Sequence, residues 1–166
     1  LSCRNEHVMF VTIDGGLWFI GTNHKDVSGV TTGSDQTPHK KPVRVTGIPS
    51  MCHVHCDHYC TMIIDTNGRL WAVGHNIHGR LGMGDLLGRN VFECVPDLYD
   101  VVSVCGTVDA TFVICADDSR WVATDNYRPF GVTPSRPCFF SRIQHLPPLS
   151  LINREEEQVA KRQCII

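Results

Sequence analysis

"DTNGRLWAVGHNIHGRLGMGD", residues 65–85, reads as a hairpin running into a glycine loop. Asn67-Gly68 supplies residues that tolerate positive φ, the usual signal of a tight turn between strands. Apolar segments flank that turn, "CTMII" (60–64) before it and "LWAV" (70–73) after it. The stretch therefore reads strand, turn, strand. Gly74, Gly79, Gly82 and Gly84 follow in close order. Such a run could cradle a phosphate, but a phosphate loop needs Gly-Lys-Ser/Thr opening a helix, and neither occurs here. A turn-rich loop whose backbone needs positive φ is the reading preferred.

Sliding the sequence against itself extends this unit to its neighbours. Trp18, Trp71 and Trp121 are separated by 53 and 50 residues. Cys3, Cys56 and Cys105 precede them by 15, 15 and 16 residues. Between cysteine and tryptophan each unit has an apolar run ("VMFVTI", "CTMIID", "TFVICA") and then a turn ("DGG", "DTNGR", "DDSR"). Asn23, Asn76 and Asn126 each lie five residues past the tryptophan. The pattern predicts strands near 7–13, 16–20, 59–64, 69–74, 101–105 and 111–116. Pro42, Pro49, Pro96 and Pro137 sit at segment edges, where a missing N–H costs no ladder bond. Asp117-Asp118 occupies the turn of the third unit, so turn chemistry accounts for it better than a catalytic carboxylate pair. Helical signals are confined to "NREEEQVAKRQ" (153–163), with Asn153 as N-cap and Glu156 at the capping-box position. The fold expected is all-β: about three propeller-like units, roughly 1–51, 52–100 and 101–148, then a tail at 149–166 that is short and helical or extended.

"GHNIHGRLGMGD" (74–85), preceded by "DTNGRLWAV", closely resembles the signature of the regulator-of-chromosome-condensation repeat, G-x-N-x-x-G-Q-L-G-x-G. Arg80 stands where that signature has Gln. "SCRNEHVMFVTIDGGLW" (2–18) resembles the other half of the repeat, with Arg4 at a usual glycine, and "VCG" (104–106) resembles the start of a third unit. The first unit replaces the glycine loop by a longer polar stretch, 24–41, and the third has Thr124 at the glycine position. The resemblance implies a partial β-propeller. It assigns structural roles to Cys3, Asp14, Gly15, Trp18, Gly21, Cys56, Gly68, Trp71, Gly74, Asn76, Gly79, Leu81, Gly82, Gly84, Cys105, Gly106 and Trp121.

"MCHVHCDHYC" (51–60) needs separate weighing. Cys52, His53, His55, Cys56, His58 and Cys60 could be imagined as zinc ligands. Both cysteine gaps are C-x3-C, not the C-x2-C of a zinc knuckle. If extended, the segment puts Cys52, Val54, Cys56, His58 and Cys60 on one face, spaced ~6.6 Å apart, too far to share one ion without a bend. Buried thiols acting as small hydrophobes are preferred, so no metal and no cofactor is assigned. A redox dithiol is less favoured still, because the helix N-terminus that activates a thiol is missing.

Composition sets the outer bounds. The chain has 166 residues, 42% apolar and 19% charged, enough for a packed core. A formal net charge of −2 offers no basic field for nucleic acid. No apolar run is long enough to span a bilayer, so no membrane partner is expected. Nine cysteines cannot all pair within one chain, and no Asn-x-Ser/Thr sequon occurs. A reducing, intracellular setting is expected, cytoplasmic or nuclear. Cys164 is third from the end and does not form a prenylation box. Leu1 opens a polar-mixed stretch without signal-peptide character, and a start at Leu rather than Met points to a fragment or processed product.

The function expected is a non-enzymatic protein-interaction module, with no catalytic residues, that binds protein partners through blade loops. One alternative is a fragment of a guanine-nucleotide exchange factor acting on a small GTPase. A second is a zinc-stabilised binding domain built on 52–60.

Overall fold

A computed structural model describes residues 1–4, 7–23, 27–30, 38–127, 132 and 138–144. Twelve strands run in chain order: β1 (Ser2–Arg4), β2 (His7–Val11), β3 (Leu17–Gly21), β4 (His39–Arg44), β5 (Met51–Cys56), β6 (Cys60–Asp65), β7 (Leu70–Gly74), β8 (Arg89–Cys94), β9 (Val101–Gly106), β10 (Thr111–Cys115), β11 (Arg120–Ala123) and β12 (Ser141–Arg142). They form three four-stranded antiparallel sheets, β1–β4, β5–β8 and β9–β12, each paired in sequence order. The architecture is all-β, a partial propeller of three blades. The helix expected near 153–163 lies outside the described residues.

The central hairpin of each sheet turns in the same way. Thr12, Asp65 and Cys115 each bond through their N–H to the carbonyl four residues on, and accept the N–H of the third residue on, at 2.9–3.0 Å. That third residue has positive φ: Gly15 at 79°, Gly68 at 73° and Asp118 at 66°. This is the three-residue hairpin loop with one left-handed position. The Asn67-Gly68 signal thus works through Gly68 alone. Aspartate serves in the third turn because its short polar side chain tolerates this conformation.

Each sheet packs one face on its neighbour. Met9, Leu17 and Phe19 of the first sheet meet Val54, Cys56, Ile63 and Val73 of the second. Met62, Ile64, Leu70 and Ala72, on the other face of the second, meet Val104, Val113 and Cys115 of the third. Each such fully buried Leu, Ile or Phe contributes roughly 1.5–3 kcal/mol of apolar transfer. A third cluster, Ala110, Val122 and Tyr127 with Phe112, Val132 and Ile143 beside it, covers the far face of the third sheet. Among the described residues no equivalent cluster forms on the far face of the first, where Phe10 and Trp18 stack with centroids 6.4 Å apart.

Two expectations are corrected here. The polar stretch 24–41 does not stay a loop to its end, because β4 begins at His39. Lys40, Lys41 and Pro42 are exposed on an outermost strand, so β4 lacks the apolar alternation that marks a strand and carries the residues that protect an edge. The cluster at 51–60 is not one extended segment either. β5 ends at Cys56 and β6 starts at Cys60, with the chain reversing at 57–59. A bulge between Met51 and His53 also turns Cys52 to the exposed side.

Candidate interaction face at the glycine loop

The loop after β7 is clamped from beneath by one side chain. Asn76 is fully buried; its Nδ2 donates to the Asp85 carbonyl at 2.9 Å, and its Oδ1 accepts the Leu81 N–H at 2.9 Å. The first sheet repeats the device: Asn23 donates to the Val30 carbonyl at 3.0 Å and accepts the Ser28 N–H at 3.0 Å. Asn126, at the same offset from Trp121, is exposed instead. Leu81 then plugs the core between the second and third sheets.

Two glycines fix the shape of this loop. Gly74 has φ 110°, and a side chain there would run into the Tyr59 carbonyl and the Cys60 backbone. Gly82 has φ 70° and lies flat under the Phe140 ring. The contact recurs one sheet earlier, where a Cβ on Gly29 would stand 2.5 Å from the Phe92 ring. An aromatic from the outer strand of one sheet, or just ahead of it, thus seats on a loop glycine of the sheet before. Gly79 lies over Cys138, Gly84 faces the Phe139 ring, and the Gly84 N–H bonds the Cys138 carbonyl at 2.9 Å. Nothing in the sequence pattern pointed to Phe92, Phe139 or Phe140, because their role is defined only across a sheet interface.

The remaining signature residues occupy turns and sheets. Trp71 donates its indole N–H to Asp65 at 3.0 Å, and Trp121 donates to Ser119 at 2.9 Å. Asp14 pairs loosely with Arg44 at 3.9 Å beside Trp18. Gly21 closes β3 as Gly74 closes β7. Cys3 and Cys56 do share a register, opposite Val8 and Thr61. Cys105 does not: it lies opposite Phe112 and matches His55, while Gly106 stands where Cys56 does. The side chain absent at Gly106 leaves room for the Asp57 Oδ2, 2.9 Å from the position of a Gly106 Cβ.

Burial governs the cysteine–histidine cluster. The Cys56 thiol is pushed up to about 11 and the Cys60 thiol to about 12, chiefly by desolvation. Both therefore stay protonated near neutral pH, whereas a metal ligand or nucleophile must be a thiolate. Burial also lowers the pKa of His53 and of His55, with Asp57 opposing it at His55. His58 leaves the strand altogether and receives a hydrogen bond from Arg4 at 3.1 Å. Among the described residues, no group of three or more His, Cys, Asp or Glu is arranged to hold a metal ion.

Arg80, at the signature's Gln position, is 1% exposed, with its guanidinium 5.7 Å from the centre of the Tyr59 ring. Beyond the loop's buried base, His78 lies between two carboxylates of the third sheet's loops, Asp109 at 3.5 Å and Asp125 at 3.1 Å. At the opposite end of the sheets an open cleft of about 830 Å³ lies between the first and second, lined by Ile13, Asp14, Ser50, Cys52, His53 and Thr66 among others.

Comparison with known proteins bears on this geometry. The X-linked retinitis pigmentosa GTPase regulators of dog (Canis lupus familiaris) and human are each 31% identical to the chain over 97 residues. That stretch is 57% of this chain and 9% of either relative's length. The solved structure of human WBSCR16 superposes with a TM-score of 0.72 at 17% identity, covering 89% of this chain and 39% of that one. Prp20p of Saccharomyces cerevisiae superposes at 0.69 and 13% identity, covering 99% and 46%. Yeast RCC1 (Prp20) in complex with Kap60 superposes at 0.69 and 15% identity, covering 86% and 36%. The chain thus shares the propeller fold of yeast RCC1 (Prp20). No protein-family profile matches the chain. Within this fold Gly74, Gly79, Gly82, Gly84 and Asn76 sit at the loop, and Trp71 and Trp121 sit where sheets meet.

Proposed function

We propose that this chain is a non-enzymatic protein-interaction module, part of a propeller scaffold or regulator that binds partner proteins through its blade loops. Its repeat units are taken as roughly 1–51, 52–100 and 101–148. The observation that carries the reading is the glycine loop. Buried Asn76 and Leu81 hold it from below, the Cys138 carbonyl holds it from the side, and its outer residues face solvent. A rigid scaffold presenting shaped loops is what recognition without large reorganisation requires. Each of the eight described cysteines is free, which supports an intracellular setting.

The names of the relatives favour a second reading, a fragment of a regulator acting on a small GTPase. The relatives matched by sequence are GTPase regulators, and Prp20p was described together with its binding to Gsp1p and histones. The two readings separate in one experiment. The chain is titrated into purified small GTPases loaded with fluorescent GDP, and both binding and nucleotide release are followed. Binding without faster release supports the interaction module. Accelerated release supports the exchange-factor reading, and no binding to any protein partner tried, in any nucleotide state, removes the GTPase from both.

A further inference from the structure

The loop end of the second and third sheets displays apolar side chains that stay about half exposed. Ile77 is 50% exposed, Leu86 49%, Leu87 69% and Val108 46%. Hydrogen bonds bring them into one neighbourhood. The Asn76–Asp85 bond sets Ile77 beside the turn that carries Leu86 and Leu87, and the Leu87 N–H bonds the Asp85 carboxylate at 2.9 Å. On the other side, the His78–Asp109 contact at 3.5 Å joins the residues that follow Ile77 and Val108 in the chain. The four side chains come from two loops of different sheets and are held by contacts that do not involve them. Scattered exposed apolar residues are ordinary, but a clustered set on a fixed frame marks a contact surface.

Charge says what kind of surface. Asp109 and Asp125 flank His78, with side chains 66% and 41% exposed. Asp85 and Glu93 share a single cation, Arg89, at 2.9 and 2.8 Å. Hydrogen bonds from Arg89 first of all hold the Asp85 carboxyl below its ordinary range, so it stays charged. Among the described residues, four carboxylates and one guanidinium thus lie around the apolar residues. Arg80, the other cation of this loop, is buried beneath Tyr59 and does not offset them at the surface.

We propose that Ile77, Leu86, Leu87 and Val108, rimmed by Asp109 and Asp125, form a docking surface for a basic amphipathic segment of a partner protein. The segment's apolar side chains would seat on the four residues, and its Lys or Arg side chains would face the two aspartates. This rests on the reading of the loop end as a protein-recognition face and names the partner's chemistry. Apolar contact provides the affinity and the carboxylates provide orientation and rate of encounter.

The test uses two synthetic amphipathic helices as probes, one of Leu and Lys and one of Leu and Glu, each labelled for fluorescence anisotropy and titrated with the whole chain. The Leu/Lys probe is expected to bind saturably and the Leu/Glu probe not to bind. Leu86→Ser with Leu87→Ser should weaken the Leu/Lys probe about tenfold, as loss of central apolar contacts does. Asp109→Asn with Asp125→Asn should weaken it less and flatten its salt dependence. Unchanged thermal melts show that both variants fold, and Ile77→Ser repeats the apolar arm if the double variant does not. Equal binding of both probes, or full binding by the Leu86/Leu87 variant, overturns the site. If the chain self-associates in sedimentation without a probe, and the leucine substitutions abolish this, the occupant is a second copy and the proposal fails. A partner that still binds the leucine variant at full strength leaves the interaction module standing and removes only this surface.

Discussion

In the middle sheet every residue of β6 is buried, whereas in the first sheet β2 alternates at its start between buried and half-exposed positions. The two strands occupy the same place in the repeat: Ile63 lies opposite Trp71 as Phe10 lies opposite Trp18. Their side chains are of similar apolar type, yet Ile63 is 0% exposed and Phe10 is partly exposed. The difference comes from neighbours. The middle sheet has a sheet on each side, so both its faces read as apolar. The first sheet has a described neighbour on one side only, and Phe10 and Trp18 cover one another on the other.

Equivalent truncations give the largest test of this contrast. Ile63→Ala should destabilise the chain by about 3–4 kcal/mol in urea unfolding, because the cavity lies between two packed sheets. Phe10→Ala removes more atoms but should cost only about 1 kcal/mol, because the site is half-solvated already. Equal losses would mean that a further element covers the first sheet's outer face in solution.

Gly82 and Gly47 separate strain from contact. Both have positive φ, 70° and 78°, but Gly82 meets Phe140 while nothing lies within 4 Å of a Cβ at Gly47. Gly47→Ala should cost about 1 kcal/mol from backbone conformation alone. Gly82→Ala should cost about 2–3 kcal/mol, since the seated aromatic must also move. Matching values would show that Phe140 does not press on the loop.

The asparagine clamp gives a smaller contrast. Asn76→Ala leaves two loop groups without partners and should cost about 1–2 kcal/mol, while Asn126→Ala should stay within about 0.5 kcal/mol. Chemical denaturation of the two variants side by side decides it.

Protonation and labelling give the mildest effects. His7, His53 and His55, all in the first two sheets, have pKa values lowered from 6.5 chiefly by burial. Their folded forms are neutral, so the stability they contribute is present above 6.5 and is lost as the pH falls through the lowered values, where the unfolded chain takes up protons first. On mild acidification the hydrogen-exchange protection factors, corrected for the slower intrinsic exchange, should therefore fall in β2 and β5 before β10. Near neutral pH, Cys3 and Cys52 should alkylate at once, and Cys56 and Cys60 only on unfolding, as peptide mass mapping would show.

These contrasts also mark how far the sequence could be read. The inner hairpins were legible because each announces itself locally, through an apolar run, a turn residue and a tryptophan. The outer strands β4 and β8 were not, because each turns mostly polar residues to solvent, and β12 is only Ser141–Arg142. Cys105 lies one residue off the register of Cys3 and Cys56, as its spacing of 16 rather than 15 from the tryptophan already shows. The exposed apolar residues Ile77, Leu87 and Val108 gave no sequence signal, since which apolar residues stay exposed is decided by the packing of distant segments.

By itself, then, the sequence determined the repeat, its period, the turns and the signature glycines. These depend on the φ each residue tolerates and on side-chain alternation within a few residues. Only the tertiary structure decided which faces close, which thiols are sealed, where Phe92 and Phe140 seat, and which loop residues stay exposed. Each of those depends on a surface supplied by residues far along the chain, and burial is a property of the pair of surfaces, not of either strand alone.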